Sequence, residues 1–402
     1  MDPVFETHYH KAVRLLEDLC TDHGILASTI KADNYKRIWA RDAVVCGLAG
    51  LLENNDTLIA GLKRSLDILA SNQHPLGMIP SNVDPRNGDV SYGSLVGRVD
   101  TGSWYVVGAC LYYKKTLDET FWKAHLPSIQ LARKYLRSIT FNDRGWIYTP
   151  LSGNWADEYP VHGYTLYDNG LYLWGEQLWL SIQGEALSAL EPIKDRMLHN
   201  FWPVEAENQH TYQSSSYRVA LGQRPKHFAS FILPGSYDLR FDAAANGLAL
   251  FLLEPGQSRL AQINEFVTAD LTASLGHALI PAFWPPIEQG SGDWHLLEHN
   301  YSYDFKNHPG SFHNGGIWPV WMGLFSLGLS IRGLEGASSK ITDAYTALLS
   351  ESGDAHFREY YRSTDLQPDG KQQMGYTASG VVFMRHSMHS DRENTLATLG
   401  LK

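Results

Sequence analysis

Apolar residues recur every three to four positions along nearly all of this 402-residue chain, and that period constrains the fold more than any other feature. Leu58, Ile59, Leu62, Leu66 and Leu69 share one helical face, while Lys63, Arg64 and Asp67 lie elsewhere. Trp104, Val107 and Leu111 make a second stripe. Phe121, His125, Ile129, Ala132 and Leu136 make a third, with Pro127 disturbing its first turns. Further helices are expected over 10–19, 43–52, 167–182, 187–200, 243–252, 260–271, 317–331, 338–349 and 375–386. This is about twelve helices at roughly 33 residues each, a spacing suited to helical hairpins. Alternating patterns are scarce; 145–148 and 216–219 are the best short strands.

Several helices are apolar nearly all round. Leu171-Tyr172-Leu173-Trp174 and the run 247–253 leave little polar face, so they are expected to be buried on more than one side. A single-layer solenoid keeps one face wet, whereas two concentric rings bury the inner one. The pattern therefore predicts an all-α, (α/α)6 toroid with long functional loops and a few short strands. No linker, charge block or low-complexity segment interrupts 1–402, which reads as one domain.

Composition narrows the partners. The net charge is −10, from 33 basic and 43 acidic residues without a basic cluster, which argues against nucleic acid and against an anionic membrane surface. No apolar stretch reaches the ~20 residues of a membrane span, and no basic-then-apolar leader opens the chain. Cys20, Cys46 and Cys110 are widely spaced within helical patterns, which suits reduced structural thiols and a cytoplasmic location. His8/His10 and His386/His389 are closely spaced but have no Cys or acidic cluster beside them, so no metal is expected. Without a P-loop or a strand-borne Gly-x-Gly-x-x-Gly, no nucleotide cofactor is expected either. Nothing in the sequence excludes a homo-oligomer.

The loops between the helices are rich in Trp, Tyr, His, Asp, Asn, Arg and Gly. Aromatic faces stack on the C–H faces of sugar rings, while carboxylates, amides and guanidinium groups read hydroxyls, so loops of this kind point to a small carbohydrate ligand. Arg41 and Asp42 suit a grip on sugar hydroxyls, since Arg supplies a fixed fork of donors and Asp accepts from two neighbouring hydroxyls.

Six segments, in order, resemble the six-hairpin glycoside hydrolases and most closely glycoside hydrolase family 100, the alkaline/neutral invertases. They are Asn34-Tyr35-Lys36-Arg37-Ile38-Trp39-Ala40-Arg41-Asp42 and Arg98-Val99-Asp100-Thr101-Gly102-Ser103-Trp104, then Asp157 with His162-Gly163-Tyr164. Asp238-Leu239-Arg240-Phe241, Ser311-Phe312-His313-Asn314-Gly315-Gly316-Ile317-Trp318-Pro319 and Phe357-Arg358-Glu359-Tyr360-Tyr361 complete the series. The resemblance implies an (α/α)6 barrel and glycoside hydrolysis without a cofactor. The acid loop departs from the family pattern: Glu158-Tyr159-Pro160-Val161 replaces a basic, Met-Gly-containing stretch, and Asp157 stands one residue closer to His162.

Inverting hydrolysis needs a protonated carboxyl for the leaving oxygen and an ionised one for water on the opposite face. The resemblance assigns these roles to Asp157 and Glu359. Trp155 and other apolar neighbours are expected to raise the pKa of Asp157, and Tyr360, Tyr361 and Arg358 to hold Glu359 ionised. Glu158 is the rival acid, and Asp238 and Asp242 are lesser candidates for the base. Substrate contacts are expected from Trp39, Arg41, Asp42, Asp100, Trp104, Trp155, His162, Arg240, His313, Asn314, Trp318 and Tyr360. The implied substrate is sucrose, with glucosylglycerate, glucosylglycerol or a glucose disaccharide as alternatives. An inverting phosphorylase or a histidine-dependent sugar isomerase on the same barrel would be a different class of enzyme.

Overall fold

The computed structural model describes residues 2–30, 35–205, 209–352, 356–389 and 391–402. Fifteen α-helices occur among them: α1 Pro3–Asp18, α2 Ala40–Glu53, α3 Asp56–Ser71, α4 Asp100–Thr116, α5 Glu119–Ser138 and α6 Leu166–Gln183. The series continues with α7 Glu191–Asn200, α8 Ser214–Gly222, α9 Ala243–Leu252, α10 Gly256–Glu265 and α11 Thr272–Leu275. It ends with α12 Pro319–Ile331, α13 Glu335–Ser352, α14 Gly375–His389 and α15 Arg392–Thr398.

Six of these close a ring: α2 packs on α4, α4 on α6, α6 on α9, α9 on α12, α12 on α14, and α14 again on α2. Helices α1, α3, α5 and α13 lie outside against this ring, and the fold is the (α/α)6 barrel that the all-round apolar helices required. All ten residues of α9 are buried. In α3 and α5, by contrast, one buried face alternates with a wet one. The tightest crossing in the ring joins α12 to α14. A Cβ on Gly323 would run into the carbonyl oxygen of Gly380, so the helices meet backbone to backbone.

Three local expectations are corrected. Residues 216–219 lie inside α8, because Tyr217 and Ala220 bury one helical face. Residues 145–148 form no strand: the Ile147 amide is taken by the Asn169 side chain, not by a neighbouring strand. Cys20 stands in the two-residue strand Cys20–Thr21 and is half-buried, whereas Cys46 and Cys110 are buried in helices as expected. Pro127 sits within the uninterrupted α5. No helix among the described residues is long and apolar enough to cross a membrane.

The inner helices begin at one end of the ring, and short strands run into several of them. Ile38–Trp39 leads into α2, Tyr164–Thr165 into α6 and Phe241–Asp242 into α9, each paired antiparallel with a strand from another loop. Side-chain caps fix two of these starts: Thr165 accepts from the Asp168 amide and Asp242 from the Ala245 amide. The loops that carry the sequence motifs therefore converge on the end where the inner helices present their N-termini, the electropositive ends of their dipoles.

Candidate active site

A cavity of about 400 Å³ opens at that end of the ring. It brings together Asp157 and Glu359, and with them Trp39, Arg41, Asp42, Trp155, His313 and Trp318. The aromatic wall is a packed cluster. The Trp155 ring lies 5.1 Å from His313 and 5.5 Å from Trp318, and Trp318 stacks on His313 at 5.4 Å. Burial pushes the His313 imidazole down to about 3, so it is neutral and can serve as a donor or an acceptor to a hydroxyl.

Arg41 and Asp42 stand on the first turn of α2. Arg41 donates from Nη1 to Oδ2 of the fully buried Asp100 at 2.5 Å. The same oxygen accepts from the Tyr167 hydroxyl, which in turn accepts from Trp104 Nε1. Asp42 faces the cavity. Burial raises its carboxyl to about 7, against the opposing pull of Arg41.

Asp157 sits in the loop before α6, and its Oδ2 accepts from Arg98 Nη2 at 2.7 Å. Its side chain is 35% exposed, so the expected apolar surroundings are corrected to an ion pair at the cavity wall. Glu158, the rival acid, also lines the cavity. Its Oε1 accepts from the Ser302 amide, and its backbone carbonyl accepts from Asn307 Nδ2. Those bonds tie the acid loop to the segment carrying Ser302, Tyr303 and Lys306, which also line the cavity. Burial raises the Glu158 carboxyl.

Glu359 precedes the strand Tyr360–Tyr361, which pairs with Pro368–Asp369. The expected partners Tyr360, Tyr361 and Arg358 do not bind its carboxyl. Oε1 accepts from the Tyr35 hydroxyl at 3.2 Å, and Oε2 from the Lys371 amide at 3.1 Å. Burial raises the Glu359 carboxyl, and the Lys371 amide, Lys306, Tyr35 and the Lys371 ammonium oppose that rise.

Six expected contact residues lie outside the cavity wall. Asp100 and Trp104 stand behind Arg41, as described above, with no exposed surface. Tyr360 backs the aromatic wall, stacked on Trp318 at 5.6 Å. Asn314 staples its own loop, accepting from the Ile287 amide at 2.6 Å and donating to the carbonyls of Ile287 and Asn307. Arg240 is held by Asp238 and by Asp293. His162 turns to Phe231, 5.1 Å away. Of the lesser base candidates, Asp238 is taken by Arg240 and Asp242 caps α9.

The cavity also contains residues that the sequence reading left unassigned: Tyr35, Arg37, Arg98, Lys306, Met374 and Tyr376. Tyr35, Arg37 and Arg98 stand inside the quoted motifs, so only their roles were missed; nothing in the local pattern marks Lys306 or Tyr376. Asn34 lies outside the described residues, as does the side chain of His389. Among the described residues, no three His, Cys, Asp or Glu side chains gather as they would around a metal ion.

Three comparisons with known proteins bear on the family and the fold. Residues 192–389 match the family model described as alkaline and neutral invertase. A curated relative, the probable alkaline/neutral invertase A, chloroplastic, of Arabidopsis thaliana, is 22% identical over 91% of this chain and 67% of its own length. Among solved structures, the GH63 mannosylglycerate hydrolase from Thermus thermophilus, in complex with glucose, superposes with a TM-score of 0.64 at 15% identity. That match covers 93% of this chain and 98% of the other. The glucoamylase of Hormoconis resinae superposes with a TM-score of 0.59 at 12% identity, over 96% of this chain and 73% of its own. The chain is a glycoside hydrolase with an (α/α) barrel, similar over most of its length to the alkaline and neutral invertases.

Proposed function

We propose that this chain, acting as one catalytic domain, hydrolyses a small α-glucoside with inversion, Asp157 serving as general acid and Glu359 as general base. The observation that carries the reading is the shared cavity. The two carboxyls come from opposite halves of the sequence, yet they line one space with an aromatic wall and the Arg41–Asp42 pair. A volume of about 400 Å³ suits a disaccharide-sized ligand. Trp39, Trp155 and Trp318 line the space for the sugar, and Arg41, Asp42 and neutral His313 read its hydroxyls. Glu359 has one donor on each oxygen, which leaves lone pairs free to take a proton from water. With Asp157 as the acid, the leaving group would lie beside Arg98, which donates to Asp157, and beside Ser302, Tyr303 and Lys306.

Sucrose is the substrate favoured by the similarity to invertases. The test is a panel of small α-glucosides, including sucrose, glucosylglycerol and glucosylglycerate, with fresh products followed by NMR. β-Glucose appearing first from sucrose supports the reading; α-glucose appearing first overturns inversion. Turnover that required inorganic phosphate would instead indicate phosphorolysis.

One observation favours a second reading of the leaving group. Lys306 faces the cavity 5.1 Å from the Phe312 ring centre and makes no ion pair with a described carboxylate. An ammonium placed there suits a leaving group that bears a carboxylate, such as glycerate, and turnover of glucosylglycerate but not sucrose would select it.

A further inference from the structure

The proposed base is seated by three features that no motif assignment covers. Its Oε2 meets the Lys371 amide just beyond the returning strand Pro368–Asp369, at the open end of the hairpin, and the Glu359 amide donates back to the Lys371 carbonyl at 2.8 Å. Between them, Gly370 adopts φ +70°, and a Cβ there would lie 2.5 Å from Glu359 Oε2. Oε1 is met from the far side of the sequence by the Tyr35 hydroxyl. The Tyr35 ring is itself held by Lys371, whose ammonium lies 5.9 Å from the ring centre.

We propose that Tyr35 is a positioning residue for the proposed base: its hydroxyl donates to Glu359 Oε1, fixes the carboxylate plane and favours the ionised form that takes a proton from water. This rests on the reading of Glu359 as general base. Glu359 Oε2 is already fixed by a main-chain amide, so the carboxyl can still swing about that bond, and Tyr35 is the side chain that bonds its other oxygen. A phenol is a suitable donor here. Burial and the neighbouring Glu359 carboxylate push its ionisation far above the usual range, so the proton stays on Tyr35 across the working pH. The other charged groups acting on Glu359 are Lys306 and Lys371, which favour its carboxylate, and Asp42 on α2, which repels it.

The test is Tyr35→Phe in the full chain, measured on whichever α-glucoside the panel identifies. The substitution removes one oxygen and keeps the ring against Lys371. A hydrogen bond to a charged group is lost in the state that does the chemistry, so kcat should fall roughly ten- to a hundredfold. KM should change less than kcat, because the ring that lines the cavity is kept and the hydroxyl is spent on Glu359. The sign of the pH effect follows from the donor's role. Without it the Glu359 carboxylate is less favoured, so the acid limb of kcat/KM should move to higher pH while the basic limb stays in place. A merely structural role for Tyr35 would lower thermal stability and leave the acid limb unmoved.

Glu359→Gln is measured alongside. If it keeps near-normal turnover, the base assignment itself fails. If it abolishes turnover while Tyr35→Phe leaves both kcat and the acid limb unchanged, Glu359 stands as the base and the inference about Tyr35 is overturned.

Discussion

Replacing Gly370 by alanine separates the seating of Glu359 from the stability of the fold. At φ +70° an alanine strains the backbone by about 1 kcal/mol relative to glycine. Unfolding entropy of roughly 2.1 cal/mol/K per residue gives about 0.8 kcal/mol/K for a chain of 402 residues, so this strain lowers Tm by only about 1 °C. The contact is the larger effect. The new Cβ would stand 2.5 Å from Glu359 Oε2 and 2.7 Å from Glu359 Cβ. Ordinary contact requires the carboxylate to retreat by roughly 1 Å, which breaks the bond to the Lys371 amide. A displacement of that size at a reacting group costs about a hundredfold in rate. Gly184, the αL cap of α6, has φ +68° with nothing near its missing Cβ, so Gly184→Ala carries the same strain without the contact. Steady-state kinetics and a melting curve on both variants provide the assay. The expected result is a small loss in Tm for Gly184→Ala, a larger one for Gly370→Ala because its Cβ also meets Glu359 Cβ, and a large loss in kcat for Gly370→Ala alone. Equal kcat in the two variants would refute the claim that the hairpin seats a catalytic carboxylate.

Three other outcomes follow. Asp157→Asn should lose about 10²–10⁴-fold on glycosides with poor leaving groups yet keep much of its rate on α-glucosyl fluoride, which needs little protonation, while Glu359→Gln loses both activities; the reverse pattern would exchange the two roles. Lys306→Met should weaken turnover of a carboxylate-bearing glycoside roughly tenfold more than that of a neutral disaccharide, since its charge also acts on Glu359 whatever the substrate, and equal effects on both would remove Lys306 from leaving-group recognition. Asp242 is raised by burial to about 7, against about 4 in the unfolded chain, so the folded state binds the extra proton between those values. Its stabilising contribution is complete below pH ~4 and is lost as pH rises through about 7. Asn caps a helix as well as Asp, so Asp242→Asn should match wild-type Tm near pH 4 and exceed it at pH 8; a constant difference across that range would contradict the assignment.

The barrel was legible in the sequence because burial on all sides leaves a compositional mark. The runs 171–174 and 247–253 have no polar face to offer solvent, and only an inner ring removes that need. The loops were legible for the complementary reason: aromatics, amides and charges stood where simple connectors would carry Lys, Glu and Ser. The same uniformity hid the site's inner geometry. The stripe Trp104, Val107 and Leu111 suggested one buried face, but α4 is buried on every side from Asp100 to Tyr112, so the stripe gives no sign that Trp104 turns to Tyr167, away from the cavity. At Glu359 the signal misled because sequence neighbours were taken for spatial ones. Tyr360 faces Trp318, while the hydroxyl that meets the carboxylate comes from Tyr35, 324 residues away. Arg41 with Asp100 and Arg98 with Asp157 are pairs of the same kind, each closed across 59 residues. The chain by itself determined most of the long helices, that 171–174 and 247–253 must lie inside and which loops carry chemistry, since each follows from local composition and period; the short α8, α11 and α15 carried no such signal. Closure of the ring decided which carboxyl meets which donor, because those distances exist only once six helix N-termini share one rim.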